Sequence, residues 1–226
     1  MLFRSFGFST RIVIASFYYK TFTGFYIQNA KNVFPAWQKT DNYPQRKDIQ
    51  MQKIGMELFY VFNYRKYSIH AALKQTERQK KNTASLLLKT DAQYLKITGD
   101  SSLYPVHYSS FIPVRIHPKS ITYESINLLV GYTYSIIFRK KFFIVPFVFA
   151  GPGFGRMLYE NKNIETKNVL NMKTNIKISI GYNGNTIFAN LLFDYETGIS
   201  AKRKVSVSSP GLFYKIAVGI RFGNNK

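Results

Sequence analysis

Cysteine is absent from the whole 226-residue chain, which excludes disulfides and thiolate metal sites but does not fix a compartment. Histidine is nearly absent. His70, His107 and His117 are the only three, none lies at metal-ligand spacing from another, and no His-Glu-x-x-His stretch occurs. His70 reads as a structural residue on the polar side of a strand, beside Lys74. His107 and His117 read as solvated residues of a proline-rich loop. No apolar run approaches the ~18 residues that a membrane-crossing helix needs. A phosphate-binding loop is disfavoured as well. Gly151-Pro152-Gly153-Phe154-Gly155 runs on as Arg156-Met157-Leu158-Tyr159, which is strand-like and lacks the Lys-Ser/Thr that would open a helix. Its alternating glycines read as places where a wall bends or a bulky neighbour approaches. Acidic residues are scarce, 11 Asp+Glu against 32 Lys+Arg. The resulting formal charge of +21 predicts attraction to anionic partners, with the basic residues recurring in turns.

Aromatics are abundant, with 17 Tyr and 20 Phe, as strands and membrane interfaces favour. The strongest signal is alternation, which sends successive side chains to opposite faces of a strand. Ile54, Met56, Leu58, Tyr60, Phe62 and Tyr64 alternate with residues including Lys53, Gly55, Glu57 and Asn63. Ile126, Leu128, Val130, Tyr132, Tyr134, Ile136 and Phe138 alternate with Ser125, Asn127, Gly131, Thr133 and Ser135. Leu170, Met172, Thr174, Ile176, Ile178, Ile180 and Tyr182 oppose Asn171, Lys173, Asn175, Lys177 and Ser179. Near the C-terminus Leu212, Tyr214, Ile216, Val218, Ile220 and Phe222 oppose Lys215, Ala217, Gly219 and Arg221. Further strands are expected at roughly 2–8, 10–27, 83–98, 141–157 and 186–198, with longer links at about 28–50, 99–122, 158–168 and 199–209.

Three two-residue turns fit this pattern. Asn183-Gly184 is the preferred type I′ pair. It would set Tyr182 against Asn185, Ile180 against Ile187, Ile178 against Ala189, Ile176 against Leu191, and Lys173 across from Asp194. Arg139-Lys140 would pair Ile136 with Phe143 and Tyr134 with Val145. Arg65-Lys66 would pair Tyr64 with Tyr67 and Phe62 with Ile69. Each register keeps the apolar residues on one face, where a slip of one would invert them. Three strands then fall between the last two turns, which puts those turns on opposite rims. An extra strand near 111–117 would restore the parity, against the prolines at 105, 113 and 118.

The expected fold is all-β: a single domain over residues 1–226, an antiparallel transmembrane β-barrel of about 10–12 strands. Backbone in lipid has no water to bond, so such a sheet closes on itself, apolar outside and polar within. Lys53, Glu57, Lys173, Lys177, Asp194, Glu196, Lys215 and Arg221 are the expected lumen-facing residues. Charges of both signs at alternate positions suit a small filled lumen better than a wide pore. Glu77, Arg78, Gln79, Lys80 and Lys81 are the candidate plug or partner segment, with a solvated turn as the alternative. An aromatic closing the last strand, Phe222, is similar to the signal read by the barrel assembly machinery. The N-terminus shows no convincing signal-peptide cleavage site. Either a signal has been removed or the chain is a truncated version of a longer one.

Several short stretches carry a resemblance: Gly24-Phe25-Tyr26-Ile27, Phe34-Pro35-Ala36-Trp37, Tyr60-Val61-Phe62-Asn63 with Lys66-Tyr67-Ser68 and Ala71-Ala72, and above all Gln75-Thr76-Glu77-Arg78-Gln79-Lys80-Lys81-Asn82. Asp100-Ser101-Ser102-Leu103 and Gly131-Tyr132-Thr133-Tyr134 extend it. Together they resemble a Bacteroidota family of outer-membrane proteins catalogued as domain of unknown function 4421, most clearly over residues 10–160. Asn82-Thr83-Ala84-Ser85 departs from that family's Ser-Ala-Gly-Ser. The resemblance implies an outer-membrane location, a barrel fold, and additional residues before the first strand; it implies no activity.

The leading functional expectation is an integral outer-membrane β-barrel, porin-like in architecture, acting as a structural, binding or narrow channel component. Its partners would be outer-membrane lipid, lipopolysaccharide and the assembly machinery, with no cofactor and no nucleic acid. The second reading is a lipid-modifying or hydrolytic barrel enzyme, for which Ser68 and His70 share a strand face but no acid is assignable. The third is a soluble basic β-protein binding nucleic acid, which needs its apolar faces packed together and its lysines outward.

Overall fold

A computed structural model describes residues 2–26, 45–103, 118–160, 164–202, 205–208 and 211–221. The strands are β1 (Leu2–Ser9), β2 (Val13–Tyr26), β3 (Gln45–Val61), β4 (Thr83–Thr98), β5 (Ser120–Phe138), β6 (Phe142–Glu160), β7 (Ile164–Asn183), β8 (Ile187–Lys202), β9 (Val205–Ser208) and β10 (Gly211–Ile220). One short helix, α1 (Ile69–Leu73), lies between β3 and β4. Each strand from β1 to β8 pairs antiparallel with the next. The free side of β8 takes β10 and, further along, β9. The result is one curled half-barrel sheet, and among the described residues β1 and β10 are not paired with each other. No helix among the described residues is long and apolar enough to cross a membrane, which has no bearing on strands.

The alternation read from sequence appears as two unlike faces. In β5 Ser125, Asn127, Leu129, Gly131, Thr133 and Ser135 are buried on the concave side. Their neighbours Ile126, Leu128, Val130, Tyr132 and Tyr134 are exposed on the convex side. β7 repeats this arrangement, with Asn171, Lys173, Asn175, Lys177 and Ser179 buried and Leu170, Met172, Ile176, Ile178 and Ile180 exposed. β3, β5, β6 and β7 have 17, 19, 19 and 20 residues, far above the ~5–6 of an average strand.

All three expected hairpins are revised. Asn183-Gly184 is not the turn. Pairing runs Asn183↔Phe188, Tyr182↔Ala189 and Ile180↔Leu191, Gly184 N–H donates to Ile187 O (3.0 Å), and Asn185-Thr186 turn the chain. The slip of four is even, so every residue keeps its face. Asp194 therefore meets Lys177 and not Lys173. The cause is local: the Asn183 side chain is buried, donating to Glu77 O (3.0 Å) and accepting from Arg221, and so belongs to the packed rim.

Arg139-Lys140 does form the turn, with φ of 47° and 58° and a Lys141 N–H bond to Phe138 O (3.1 Å). Lys141, however, is an extra residue, so Phe138 pairs with Phe142 and Ile136 with Ile144. This odd shift turns Phe143, Val145, Phe147 and Phe149 inward, where all four are buried, while Ile144 and Val148 stay outside. β6 is apolar on both faces, so alternation could not orient it.

Arg65-Lys66 forms no hairpin. The chain leaves the sheet after Val61 and returns at Thr83, passing through α1. Ser68 starts the helix by accepting the Ala71 N–H (3.0 Å), as N-cap serines do. Only β4 and β5 then separate residues 62–82 from the Arg139-Lys140 turn. The turns at 10–12, 139–141 and 184–186 and the 62–82 connection all fall on one rim, the short-turn rim, and the parity conflict disappears. The strand considered at 111–117, His107, His117 and Phe222 lie outside the described residues.

The glycine run in β6 serves close approach. A Cβ at Gly151 would collide with the Leu128 carbonyl oxygen, and one at Gly153 with Asn127 Oδ1. Gly153→Ala is expected to lower stability by about 1–3 kcal/mol through overpacking, read from the urea midpoint. Gly198→Ala, whose Cβ would meet nothing closer than the Met172 carbonyl at 4.0 Å, should change it by less than about 0.5 kcal/mol.

Candidate binding site on the concave face

Residues two or four apart on a strand share a face. Thus β3 presents Lys53 and Glu57, β4 Lys89 and Asp91, β7 Lys173 and Lys177, and β8 Asp194 and Glu196, all to the concave side. The curl brings β3 and β4 opposite β7 and β8. Lys89 lies 2.8 Å from Glu57 and 3.9 Å from Glu196. Lys173 lies 2.8 Å from Asp91 and 3.0 Å from Glu196, Lys177 2.6 Å from Asp194, and Lys53 3.9 Å from Glu196. Four ammonium groups thus face four carboxylates. Two amides knit them together: Asn127 donates to Asp91 (2.7 Å), while Asn175 donates to Asp194 (2.6 Å) and accepts from Lys89 (3.3 Å). Lys89 is fully buried, with its ammonium 5.2 Å from the Phe59 ring and 5.9 Å from that of Phe149.

Such a belt adds little net stability over apolar packing, but removing one member leaves a buried charge unpaired. Lys89→Met is therefore expected to cost about 3–5 kcal/mol by urea unfolding, and adding Glu57→Leu should recover part of it.

Toward the short-turn rim the concave side is dry. Val61, Tyr67, Ile69, Leu87, Leu129, Phe143, Val145 and Phe147 pack into one core with Phe59 and Phe149. Residues 62–82 close this end. The Tyr67 hydroxyl bonds Thr133 Oγ1 (3.0 Å), Ser179 Oγ donates to Ala72 O (2.5 Å), and Lys74 donates to Ser9 Oγ (2.6 Å). Within the candidate plug, Glu77 accepts from Arg11 (2.8 Å) and Ser68 (2.7 Å). Gln79 accepts the Ser68 N–H (2.8 Å) and donates to Lys66 O (3.0 Å), and Arg78 donates to Asn183 O (3.2 Å) and to Asn185. Lys80 and Lys81 point to solvent.

On the other side of the belt lies a cavity of about 150 Å³. Its walls are Leu95, Ile97, Ile121, Tyr123, Met157 and Tyr159, and its floor is Lys53, Gln93, Asn127, Lys173 and Glu196. The Gln93 and Asn127 carbonyl oxygens are buried with no hydrogen-bond partner. The cavity can therefore take a small amphipathic molecule, its donors toward those oxygens and its apolar part against the wall. A second opening of about 430 Å³ separates the β1 and β10 edges, where Lys20 and Lys215 stand beside Glu57, Asp194 and Glu196.

Six of the eight expected lumen residues thus meet in the belt: Lys53, Glu57, Lys173, Lys177, Asp194 and Glu196. Lys215 is exposed at the edge opening. Arg221 follows β10 at the short-turn rim, donating to Gln75 O, Gly184 O and Asn183 Oδ1. Sequence reasoning passed over Lys89 and Asp91, although their odd positions within 83–98 set them apart from Leu86, Leu88, Thr90 and Ala92. The Ser68 hydroxyl donates to Glu77 and caps α1, while His70 Nε2 has no hydrogen-bond partner, so these two do not form a nucleophile–base pair. No cluster of three or more His, Asp or Glu poised for a metal occurs among the described residues.

Burial pushes the Glu77 carboxyl up, but the Ser68 hydroxyl and the Arg11 guanidinium outweigh it and hold the pKa below the usual 4.5. The stability this gives is present above that value and lost as pH falls through the lower folded value. Acidification below about pH 4.5 should expose residues 62–82 to hydrogen exchange, and Glu77→Gln should flatten that dependence.

The family model for the domain of unknown function DUF4421 matches residues 4–222. No curated protein and no solved structure matches the chain. With nearly its whole length covered, from the first strand to just past the last, this chain belongs to the DUF4421 family.

Proposed function

We propose that the chain is an integral β-barrel of a bacterial outer membrane, of the kind its resemblance to Bacteroidota proteins implies. In this reading it is a sealed binding component and not a conducting pore. The observation that carries this is the inversion of the usual globular arrangement. Ile126 and Val130 are each 62% exposed, Leu170 74% and Val218 73%, whereas Lys89 and Asn175 are 0% exposed. A water-soluble protein rarely leaves more than a few hundred Å² of contiguous apolar surface uncovered. Hydrocarbon around the convex face removes that cost, and it requires the β1 and β10 edges to be closed. Closure, lipopolysaccharide as the outer neighbour and the barrel assembly machinery as the inserting partner are parts of the proposal.

The sealed reading is supported by the dry core and by residues 62–82 at the short-turn end. The belt leaves the 150 Å³ cavity, on its side away from the short-turn rim, as the space for a ligand. A soluble nucleic-acid-binding fold with its strand-face lysines outward is disfavoured, since Lys89, Lys173 and Lys177 are buried in ion pairs on the concave side.

Expression followed by fractionation should place the chain in the outer membrane with heat-modifiable gel mobility. Planar bilayers should show no steady conductance above the bare bilayer. Recovery of a folded, soluble monomer without detergent would overturn the membrane assignment. Steady conductance would overturn the seal alone.

A further inference from the structure

The short-turn rim carries charge of one sign. Its connections at 10–12, 62–82, 139–141 and 184–186, together with residue 221, contain Arg11, six Lys and Arg in 62–82, three in 139–141, and Arg221. Glu77 is the single carboxylate, and Arg11 and Ser68 already bind it. The described parts of the opposite rim mix signs, with Arg46 and Lys119 beside Asp48, Asp100 and Glu160. Lys66, Lys80, Lys81, Arg139, Lys140 and Lys141 are exposed, and none has an ion-pair partner among the described residues.

Two further observations separate this rim from an ordinary solvated edge. First, Arg139 and Lys140 adopt φ of 47° and 58°. Turns of this shape select Gly, Asn or Asp, because a Cβ is strained there. Long cations occupy these positions in spite of the backbone and make the tip of the β5–β6 hairpin triply basic. Second, an aromatic tier lies just inside the cations. Phe8, Phe138 and Phe142, at the ends of β1, β5 and β6, and Phe62, just past β3, are 64%, 50%, 49% and 55% exposed. Tyr60 packs edge-on to Phe62 (5.0 Å), and Tyr182 to Phe142 (5.1 Å). Apolar band, aromatic tier and cationic rim succeed one another along the strand direction. That is the order of a membrane leaflet from acyl chain through interface to phosphate.

We infer that the short-turn rim is a docking surface for the headgroups of anionic phospholipids, which fixes the height and orientation of the chain in the bilayer. The inference rests on the barrel reading. Phosphate oxygens would accept from Arg139, Lys140, Lys141, Lys80 and Lys81 while the acyl chains lie along the aromatic tier. Of the candidate plug only the solvent-facing Lys80 and Lys81 take part, and no residue of the belt does.

The full chain, folded in detergent, is mixed with equal amounts of phosphatidylcholine and phosphatidylglycerol, and retained lipids are weighed by native mass spectrometry. Phosphatidylglycerol is expected to be retained preferentially by roughly tenfold or more. Arg139→Asn with Lys140→Asn and Lys141→Gln should erase most of that preference while keeping heat-modifiable mobility, since Asn tolerates the left-handed turn. Equal retention of the two lipids by the unaltered chain, or an unchanged preference in the triple variant, overturns the inference. So does retention of an RNA oligomer by the unaltered chain without phosphatidylglycerol preference, because the rim would then serve a different polyanion. A chain that stays in the aqueous phase with neutral phosphatidylcholine vesicles sinks the barrel reading itself, a result distinguishable from all of these.

Discussion

The structure depends on keeping four lysines and four carboxylates on the concave side of one sheet, each within reach of an opposite charge. The desolvation of these groups is severe, and only the curl that brings β3 and β4 against β7 and β8 repays it. Lys89 makes the point. It has no solvent exposure, and its partners are Glu57 on the neighbouring strand and Asn175 and Glu196 across the concave space. A flatter sheet would leave it buried against nothing. The belt therefore favours a narrow range of curvature as well as neutralising itself.

The belt also divides the concave side into two unlike halves. On one side, β6 supplies four inward apolar residues because Lys141 shifts its register by one. These make the core that residues 62–82 cover. On the other side, Leu95, Ile97, Ile121, Tyr123, Met157 and Tyr159 also face inward, but nothing described fills the space between them, and a cavity results. The proposed sealed binding role rests on this arrangement.

Much of the architecture was legible beforehand, for a reason that also marks the limit. Period-two alternation is a property of each strand alone, so the faces of β5, β7 and β10 could be assigned without knowing any neighbour. Register is different. An even slip preserves every face, so the Asn183-Gly184 and Asn185-Thr186 turns are indistinguishable by hydrophobic pattern. The structure chose the second because Asn183 has a buried role binding Glu77 and Arg221. In β6, apolar residues on both faces left the pattern silent, and a turn one residue longer reversed the assignment. In residues 67–73 the Ser68 cap and short helix prevailed over an alternation that would have continued the strand.

By itself, then, the sequence determined the class of structure and the sidedness of most strands, because both are written in local spacing. It also determined the family, through a match spanning residues 4–222. Only the tertiary structure decided which charges meet, that Lys89 and Asp91 belong to the belt, that Asp194 answers Lys177, and that the β3–β4 connection closes one end. Those outcomes depend on curvature and on inter-strand offset, and both arise from contacts between residues far apart in the chain, which no single strand encodes.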